Sequence, residues 1–268
     1  MNLNLFLREL KNNLKGTVLT SFIVVLYIAF SLLIYSSMKE NISRITDFYY
    51  LMPESFQVAF NFHINQWDNV LGYYVTYFVY FVPIITGCYS IILGAKILSK
   101  EEQNKTAEFL LSRPISRNQI ISSKLLTLFI HILGINLLAF LTGLIGCGIV
   151  SDWEFNIKSL VILHTYGCLI CLLFGLIGFF ITVVMKRAKA ISGIGIGIIL
   201  VTYFFDVMIR VFGKVQFLLY LTPFKYINIE AHSQDYSFDT WRLIYFIGIS
   251  GLLIVLSYVF YRRKDILV

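Results

Sequence analysis

The sequence predicts an all-α, polytopic membrane protein with six transmembrane helices, and two observations support that prediction. Hydrophobic residues make up 58% of the 268 residues and charged residues only 14%, whereas about a quarter of the residues in a soluble domain are charged. The apolar residues also form continuous runs, which excludes a β-barrel because barrel strands alternate apolar and polar side chains. The whole chain, residues 1–268, is predicted to be one transmembrane domain.

Six apolar runs reach the roughly 20 residues that a helix needs to cross the hydrocarbon core. The predicted spans are residues 17–38, 70–98, 125–150, 159–185, 190–209 and 243–261. The segment before the first span is predicted to be an amphipathic helix in the membrane interface, because apolar residues recur on one face and basic residues fall on the others. That face consists of Leu3, Phe6, Leu7, Leu10 and Leu14. The same periodicity fits equally well a cytoplasmic helix packed on protein.

A mildly polar stripe runs along the first span, and aromatic side chains open the second. Thr20, Tyr27, Ser31 and Tyr35 follow each other at intervals of seven, four and four residues, so this face is expected to meet a partner subunit or a substrate pathway. Tyr77 belongs to the aromatic cluster of the second span, where a membrane-interface belt is the usual role. We take Tyr27, Ser31, Tyr35 and Tyr77 as candidate pathway residues. The alternative is that they bond backbone carbonyls within the fold.

The fifth span and the stretch after it carry three further features. Gly193 and Gly197 have the G-x-x-x-G spacing that lets another helix approach closely, from a second copy or from the same chain. Asp206 and Arg210 lie four residues apart near the outer end and are expected to form a structural ion pair. Residues 215–224 are apolar but only about ten residues long, too short to cross. We expect that stretch to dip into the membrane and return.

Neither cysteine nor histidine indicates a metal site. Cys168 and Cys171 spell C-x-x-C, but no second ligand pair or βαβ pattern accompanies them, and no His or carboxylate repeat has metal-ligand spacing. A phosphate-binding G-x-x-x-x-G-K-[ST] loop is missing from the sequence. We therefore expect no metal, no bound cofactor and no enzymatic activity in this chain.

Residues 99–124 form a charged, helix-forming stretch between the second and third spans. Pro114 disfavours helix at the residue before it, and Ser116 followed by Gln119 has the capping-box spacing. We predict one short helix near residues 106–111 and a second beginning at Ser116. The apolar side chains in this charged setting favour a docking site, and a solvated hairpin is the alternative.

This stretch resembles the cytoplasmic loop of ABC transporter permeases of the type-2 exporter family, in which T-x-E-x-L-L-x-x-P-x-S-R-x-x-I precedes the third span. The matching residues are Thr106, Glu108, Leu110, Leu111, Pro114, Ser116, Arg117, Ile120 and Lys124. Lys105 departs from the family, which commonly has Gly there. The resemblance extends to LFLRELK near the N-terminus, LTPFKY before the last span and the basic YRRKDIL tail, and so covers the whole chain.

The resemblance implies a permease subunit of an ATP-driven exporter, with an N-terminal elbow helix and a cytoplasmic coupling helix. Its partners would be a second permease chain, in a homodimer or heterodimer, and two cytoplasmic ATPase subunits that bind ATP and Mg²⁺ and carry out the hydrolysis. The residues implied in ATPase coupling are Thr106, Glu108, Phe109, Leu110, Leu111, Pro114, Ser116 and Arg117. The alternative is a stand-alone channel or secondary transporter, which is expected to place charged or helix-breaking residues at mid-membrane.

The distribution of Lys and Arg predicts that both termini are cytoplasmic. The side that holds the termini carries 15 of the 22 basic residues and the other side 7, and an excess of Lys and Arg marks the cytoplasmic side of a membrane protein. The net charge of +7 therefore reflects orientation, and nucleic-acid binding is not expected. We expect a multi-pass protein of the cell membrane, specifically the bacterial plasma membrane.

Overall fold

The computed structural model describes residues 1–39, 41–59, 64–103, 115–185, 191–212, 221–227 and 237–263. These residues form α-helices joined by short turns, with no β-strand among them. The helices are α1 (Leu3–Lys39), α2 (Ile42–Tyr50), α3 (Glu54–Ala59), α4 (Val70–Gln103), α5 (Arg117–Ser151), α6 (Ile157–Val184), α7 (Ile191–Phe212) and α8 (Thr240–Arg263), with 3-10 turns at Ile64–Gln66 and Pro223–Ile227.

Six of these helices, α1 and α4 to α8, are long and apolar enough to cross a membrane. Each predicted span corresponds to one of them, which confirms the all-α class and the six spans. The helices extend beyond the apolar runs next to the loop between the second and third spans. There α4 continues to Gln103, because its last four residues are good helix formers, and α5 begins at Arg117, because Ser116 caps its N-terminus.

The N-terminal segment is the beginning of α1, which runs without a break from Leu3 to Lys39. A separate elbow helix is therefore not seen. Leu5 and Glu9 are buried, whereas Leu3 and Leu7 of the predicted apolar face are exposed. On the buried side of α1, Glu9 faces Lys124 of α5. The exposed apolar side of α1 is free to contact lipid, as expected of a helix in the membrane interface.

The second short helix predicted from Ser116 is likewise the start of a long one, since α5 continues to Ser151. The first, near residues 106–111, lies outside the described residues. So does most of the stretch predicted to dip into the membrane, 215–224.

Helices α4 and α6 form the centre of the protein. Within an apolar 18-residue stretch of each helix, 67% of the stretch in α4 and 61% of that in α6 is buried, against 22% in α7 and 11% in α8. Two glycines allow the α4 and α6 backbones to touch: a Cβ at Gly94 would lie 2.0 Å from the Gly175 carbonyl oxygen, and one at Gly178 would lie 2.2 Å from that of Ile91. The Thr182 hydroxyl also donates to the Ala95 carbonyl across this contact, at 3.2 Å.

Most of the buried apolar residues in the described ranges belong to one of two clusters. The larger one contains the aromatic side chains of the second span, among them Tyr73, Tyr74 and Phe78. The other joins α1, α4, α5, α6 and α8 near the loop between α4 and α5. Its buried members are Leu5, Leu93, Ile97, Leu98, Ile120, Ile121, Leu125, Leu128, Ile132, Cys171, Leu176, Phe179, Val183 and Tyr261. This second cluster packs together the end of α4 and the start of α5, the two helix ends that flank that loop.

Candidate functional site

The coupling loop, defined here as residues 104–114, joins α4 to α5. Six of its sequence-predicted ATPase-coupling residues lie outside the described residues: Thr106, Glu108, Phe109, Leu110, Leu111 and Pro114. Ser116 and Arg117 are described, and so is the last turn of α4. The described part of the site therefore consists of the two helix ends that flank the loop.

On the α5 side, Ser116 is the N-cap residue. Its hydroxyl accepts a hydrogen bond from the Gln119 backbone N–H at 3.3 Å, and the Gln119 side chain accepts one from the Ser116 N–H at 3.0 Å. These two bonds are the predicted capping box. They satisfy donors that every helix leaves open at its N-terminus, so the start of α5 is fixed by the local sequence.

Arg117 connects this end of the loop to α8. Its guanidinium donates to the carbonyl oxygens of Tyr261 at 3.2 Å and Arg262 at 2.9 Å, in the last turn of α8, where helix carbonyls lack intrahelical partners and cations are favoured. Nearby, the Ser122 and Tyr258 hydroxyls are 2.7 Å apart. The residue predicted to act in ATPase coupling thus also ties α5 to the end of the last span.

On the α4 side, Glu101 belongs to a set of charged residues that we call the ionic cluster. The cluster consists of Arg8, Glu9, Glu101 and Lys124. The Lys124 ammonium lies 2.7 Å from a Glu101 carboxylate oxygen and 3.9 Å from one of Glu9, and it donates to the Ile97 carbonyl. Arg8 lies 3.3 Å from Glu9 and 3.4 Å from Glu101. The cluster therefore joins α1, α4 and α5 at one point.

The ionic cluster is buried but balanced. The side chains of Glu9 and Lys124 are 0% and 1% exposed, that of Glu101 is 10% exposed, and that of Arg8 is the most exposed of the four, at 48%. Two carboxylates face two cations, which is the arrangement that makes buried charge tolerable. Removing one partner of a buried pair costs about 3–5 kcal/mol, because the other charge is left without compensation.

Nothing in the sequence indicates that Glu9 and Lys124 act together. Glu9 is the one acidic residue in the first 39, and Lys124 immediately precedes a run with no charged residue before Asp152. The sequence shows only that Glu9 is a single acid in a basic amphipathic segment and that Lys124 lies at the edge of a span. Neither observation reveals which residues these two side chains contact.

The four candidate pathway residues all lie where α1 packs on α4 or its lead-in. Tyr27 donates to the Tyr77 carbonyl at 3.3 Å, Ser31 to the Ile28 carbonyl at 2.8 Å, and Tyr35 to the Asp68 carbonyl at 3.4 Å. These bonds to backbone carbonyls are those of the packing alternative, so a role in a pathway stays a prediction.

Tyr35 also lines a polar cavity of about 310 Å³ at one end of α1, α4 and α5. Its lining is Tyr35, Lys39, Asp68, Asn69, Val70, Val150, Ser151, Asp152 and Glu154. Under the predicted orientation this cavity faces the outside.

The ion pair predicted in the fifth span is present. A guanidinium nitrogen of Arg210 lies 2.6 Å from an Asp206 carboxylate oxygen. Arg210 also donates to the Tyr80 hydroxyl of α4 and lies 5.1 Å from the centre of that ring. The pair therefore joins α7 to α4.

Within the described ranges, no group of three His, Cys, Asp or Glu residues could hold a metal ion. The two histidines in the spans bond hydroxyls: His164 pairs with Tyr74 at 3.0 Å and His131 with Thr17 at 2.7 Å. Cys171 lies 2.9 Å from the Thr86 hydroxyl. The expectation of no metal or cofactor stays a prediction.

Comparison with known proteins identifies the family. No curated protein matches the chain at a significant level. Residues 3–266 match a family described as "ABC-2 family transporter protein", which is nearly the whole chain and includes all six apolar helices. The chain therefore belongs to the ABC-2 family of transporter proteins and is a multi-pass membrane permease subunit of an ABC transporter.

Proposed function

We propose that this permease exports its substrate by coupling to separate cytoplasmic ATPase subunits that dock on the coupling loop. ATP and Mg²⁺ bind to those subunits, and hydrolysis takes place there. The observation that carries the proposal is the anchoring of the loop at both ends. Through Glu101 its first end meets α1, and through Arg117 its second end meets α8, so force applied to the loop reaches the first and last spans.

The loop sequence supports docking of a protein. Phe109, Leu110 and Leu111 are three consecutive apolar residues in a segment rich in charge. Burying each of them in the cleft of a partner contributes about 1.5–3 kcal/mol, and a few apolar anchors commonly dominate an interface. The excess of Lys and Arg supports a cytoplasmic location for this loop and for both termini.

A second permease chain is the other proposed partner. No described atom lies within 4 Å of a Cβ built at Gly193 or Gly197, although Gly195, between them, contacts Ile91. The G-x-x-x-G face of α7 is thus turned away from the described part of its own chain. Small residues on an open face let two membrane helices approach closely, which favours packing against a second copy or a related permease.

The transported substrate is proposed to move along the face that includes Tyr27, Ser31, Tyr35 and Tyr77, and to leave through the polar cavity beside Tyr35. Tyr27 and Tyr77 are only partly buried, so their rings are available to a substrate. Before this exit cavity, whose lining includes charged side chains, the four side chains of the route are three tyrosines and one serine, which suit amphipathic cargo better than inorganic ions.

Replacing apolar anchors of the coupling loop by Asp tests the proposal. Leu110→Asp, Phe109→Asp and Leu111→Asp are made one at a time in an affinity-tagged permease, with Gln103→Asp as the control that adds the same charge at the end of α4. Because all these positions lie outside the spans, membrane insertion and yield should match the wild type.

The readout is ATPase activity that copurifies with the permease from native membranes. At least one anchor variant should lose about tenfold or more of this activity, since losing one apolar anchor removes about 1.5–3 kcal/mol and tenfold corresponds to 1.4 kcal/mol. The control should keep it. Normal copurifying activity in all three anchor variants would rule out the loop as the docking site.

A further inference from the structure

We infer that Lys124 is the positioning residue that makes α1 move together with the end of α4. This inference rests on the proposed function, in which the ATPase acts on the loop that follows α4. It goes further by naming the side chains that carry a movement from the end of α4 into the first span.

The first step is geometric. The Lys124 ammonium contacts two successive turns of α4, through the Ile97 carbonyl and the Glu101 carboxylate at 2.7 Å. It also faces the Glu9 carboxylate of α1 at 3.9 Å. One side chain of α5 thus lies between α4 and α1 and binds both, and Glu101 is three residues from the start of the coupling loop.

The second step concerns the cost of separating these helices. Glu9 and Lys124 are fully buried, so pulling their helices apart takes the partner away from a charge that has no solvent contact in the packed state. A buried charge that loses its partner is strongly unfavourable, whereas an exposed pair separates at little cost. The junction is therefore stiff, and a displaced α4 end must either bring α1 with it or break the cluster.

Contacts around the cluster add to the link between α1 and α5. The Ser123 hydroxyl accepts from the Asn2 backbone N–H at 3.0 Å and donates to the Asn2 carbonyl at 3.1 Å. Leu5 packs in the same apolar cluster as Ile97 and Ile120. These contacts hold α1 on α5, but the charged contact from Lys124 to Glu101 is the one that brings in the end of α4.

Arg8 offers a comparison within the cluster. It bridges the same two carboxylates at 3.3 and 3.4 Å, yet its side chain is 48% exposed. Water and salt can replace an exposed cation, so Arg8 should contribute far less to the coupling than Lys124. Lys96, which is exposed on α4, is the matched control for loss of a lysine outside the cluster.

Spin-label distances in the complete permease–ATPase complex test the inference. Labels are placed on Asn12→Cys in α1 and Val184→Cys at the end of α6, both exposed in the structure, with the native cysteines replaced by alanine. The distance distribution is measured without nucleotide and after trapping with ATP and vanadate. In the otherwise unchanged permease, trapping should shift the distance.

The variants separate positioning from folding. Lys124→Met should lose more than half of the shift, Lys124→Arg should restore most of it, and Arg8→Gln and Lys96→Met should leave it nearly intact. If Lys124→Met does not fold, Glu101→Met combined with Lys124→Met replaces the pair by apolar side chains, a change that buried pairs often tolerate, and leaves Arg8 with Glu9. That double variant should also lose the shift.

A Lys124→Met or double variant with an unchanged shift would overturn the inference, and so would the absence of any shift in the otherwise unchanged permease that still copurifies with active ATPase. Failure of the proposed function has a different signature, because then either no ATPase activity copurifies with the unchanged permease, or that activity stays normal in all three Asp variants of the coupling loop. Copurification from the unchanged permease and from those variants therefore distinguishes the two failures.

Discussion

The contact between α4 and α6 predicts that a single methyl group at Gly94 will destabilise the permease. A Cβ at this position would lie 2.0 Å from the Gly175 carbonyl oxygen and 2.9 Å from the Phe179 nitrogen. Both atoms belong to the backbone, so no side-chain rotation relieves the clash. Ordinary contact begins at 3.4 Å, and the two helices must therefore separate locally by about 1.4 Å, an overpacking change that costs about 1–3 kcal/mol or more.

We expect Gly94→Ala to reach the upper end of that range, about 3 kcal/mol. Separation of the helices also disturbs the Gly178 contact with Ile91 and the Thr182 bond to Ala95. Both helices lie at the centre of the fold, where neighbouring side chains have little room to adjust.

The assay compares the unfolding midpoints of purified variants in detergent. Gly134→Ala is the matched control, since no described atom lies within 4 Å of a Cβ built at Gly134. It should be neutral or slightly stabilising because alanine favours helix over glycine by up to about 1 kcal/mol. Equal midpoints for the two variants would refute the close approach of α4 and α6.

Two further predictions concern assembly and orientation. Gly193→Ile combined with Gly197→Ile should weaken association of two permease chains about tenfold, or 1.4 kcal/mol, because bulky side chains on this face of α7 keep the helices apart. The control variant Gly134→Ile should leave association unchanged. Unchanged association of the double variant would exclude this face from the interface. A membrane-impermeant thiol reagent added to intact cells should label Ser55→Cys but not Asn118→Cys, both of which are exposed; the opposite labelling pattern would invert the topology.

Much of the fold could be predicted from the sequence because its signals are local. Continuous apolar runs must become helices in lipid, where every backbone group needs a partner within its own segment. Ser116 and Gln119 set the start of α5 for the same local reason, and Asp206 and Arg210 meet because four residues make one helical turn. What local signals could not reveal is that the amphipathic segment continues into the first span without a break, as α1 from Leu3 to Lys39. The resemblance had suggested that this segment would be a separate helix.

In the candidate site, too, features set by neighbouring residues could be predicted, whereas contacts between distant residues could not. By itself, the sequence determined the six spans, the capped start of α5 and the family resemblance of the coupling loop, all of which depend on residues close together in the chain. Only the tertiary structure decided that Glu9, Glu101 and Lys124 meet, that Arg117 caps α8, and that Tyr27 and Tyr35 bond backbone carbonyls across a helix contact. These pairings join residues as much as 145 positions apart, and a charged side chain carries no local mark of its partner. Helix packing decides these pairings: it places the Lys124 ammonium within 4 Å of two carboxylates and leaves the lysine side chain only 1% exposed.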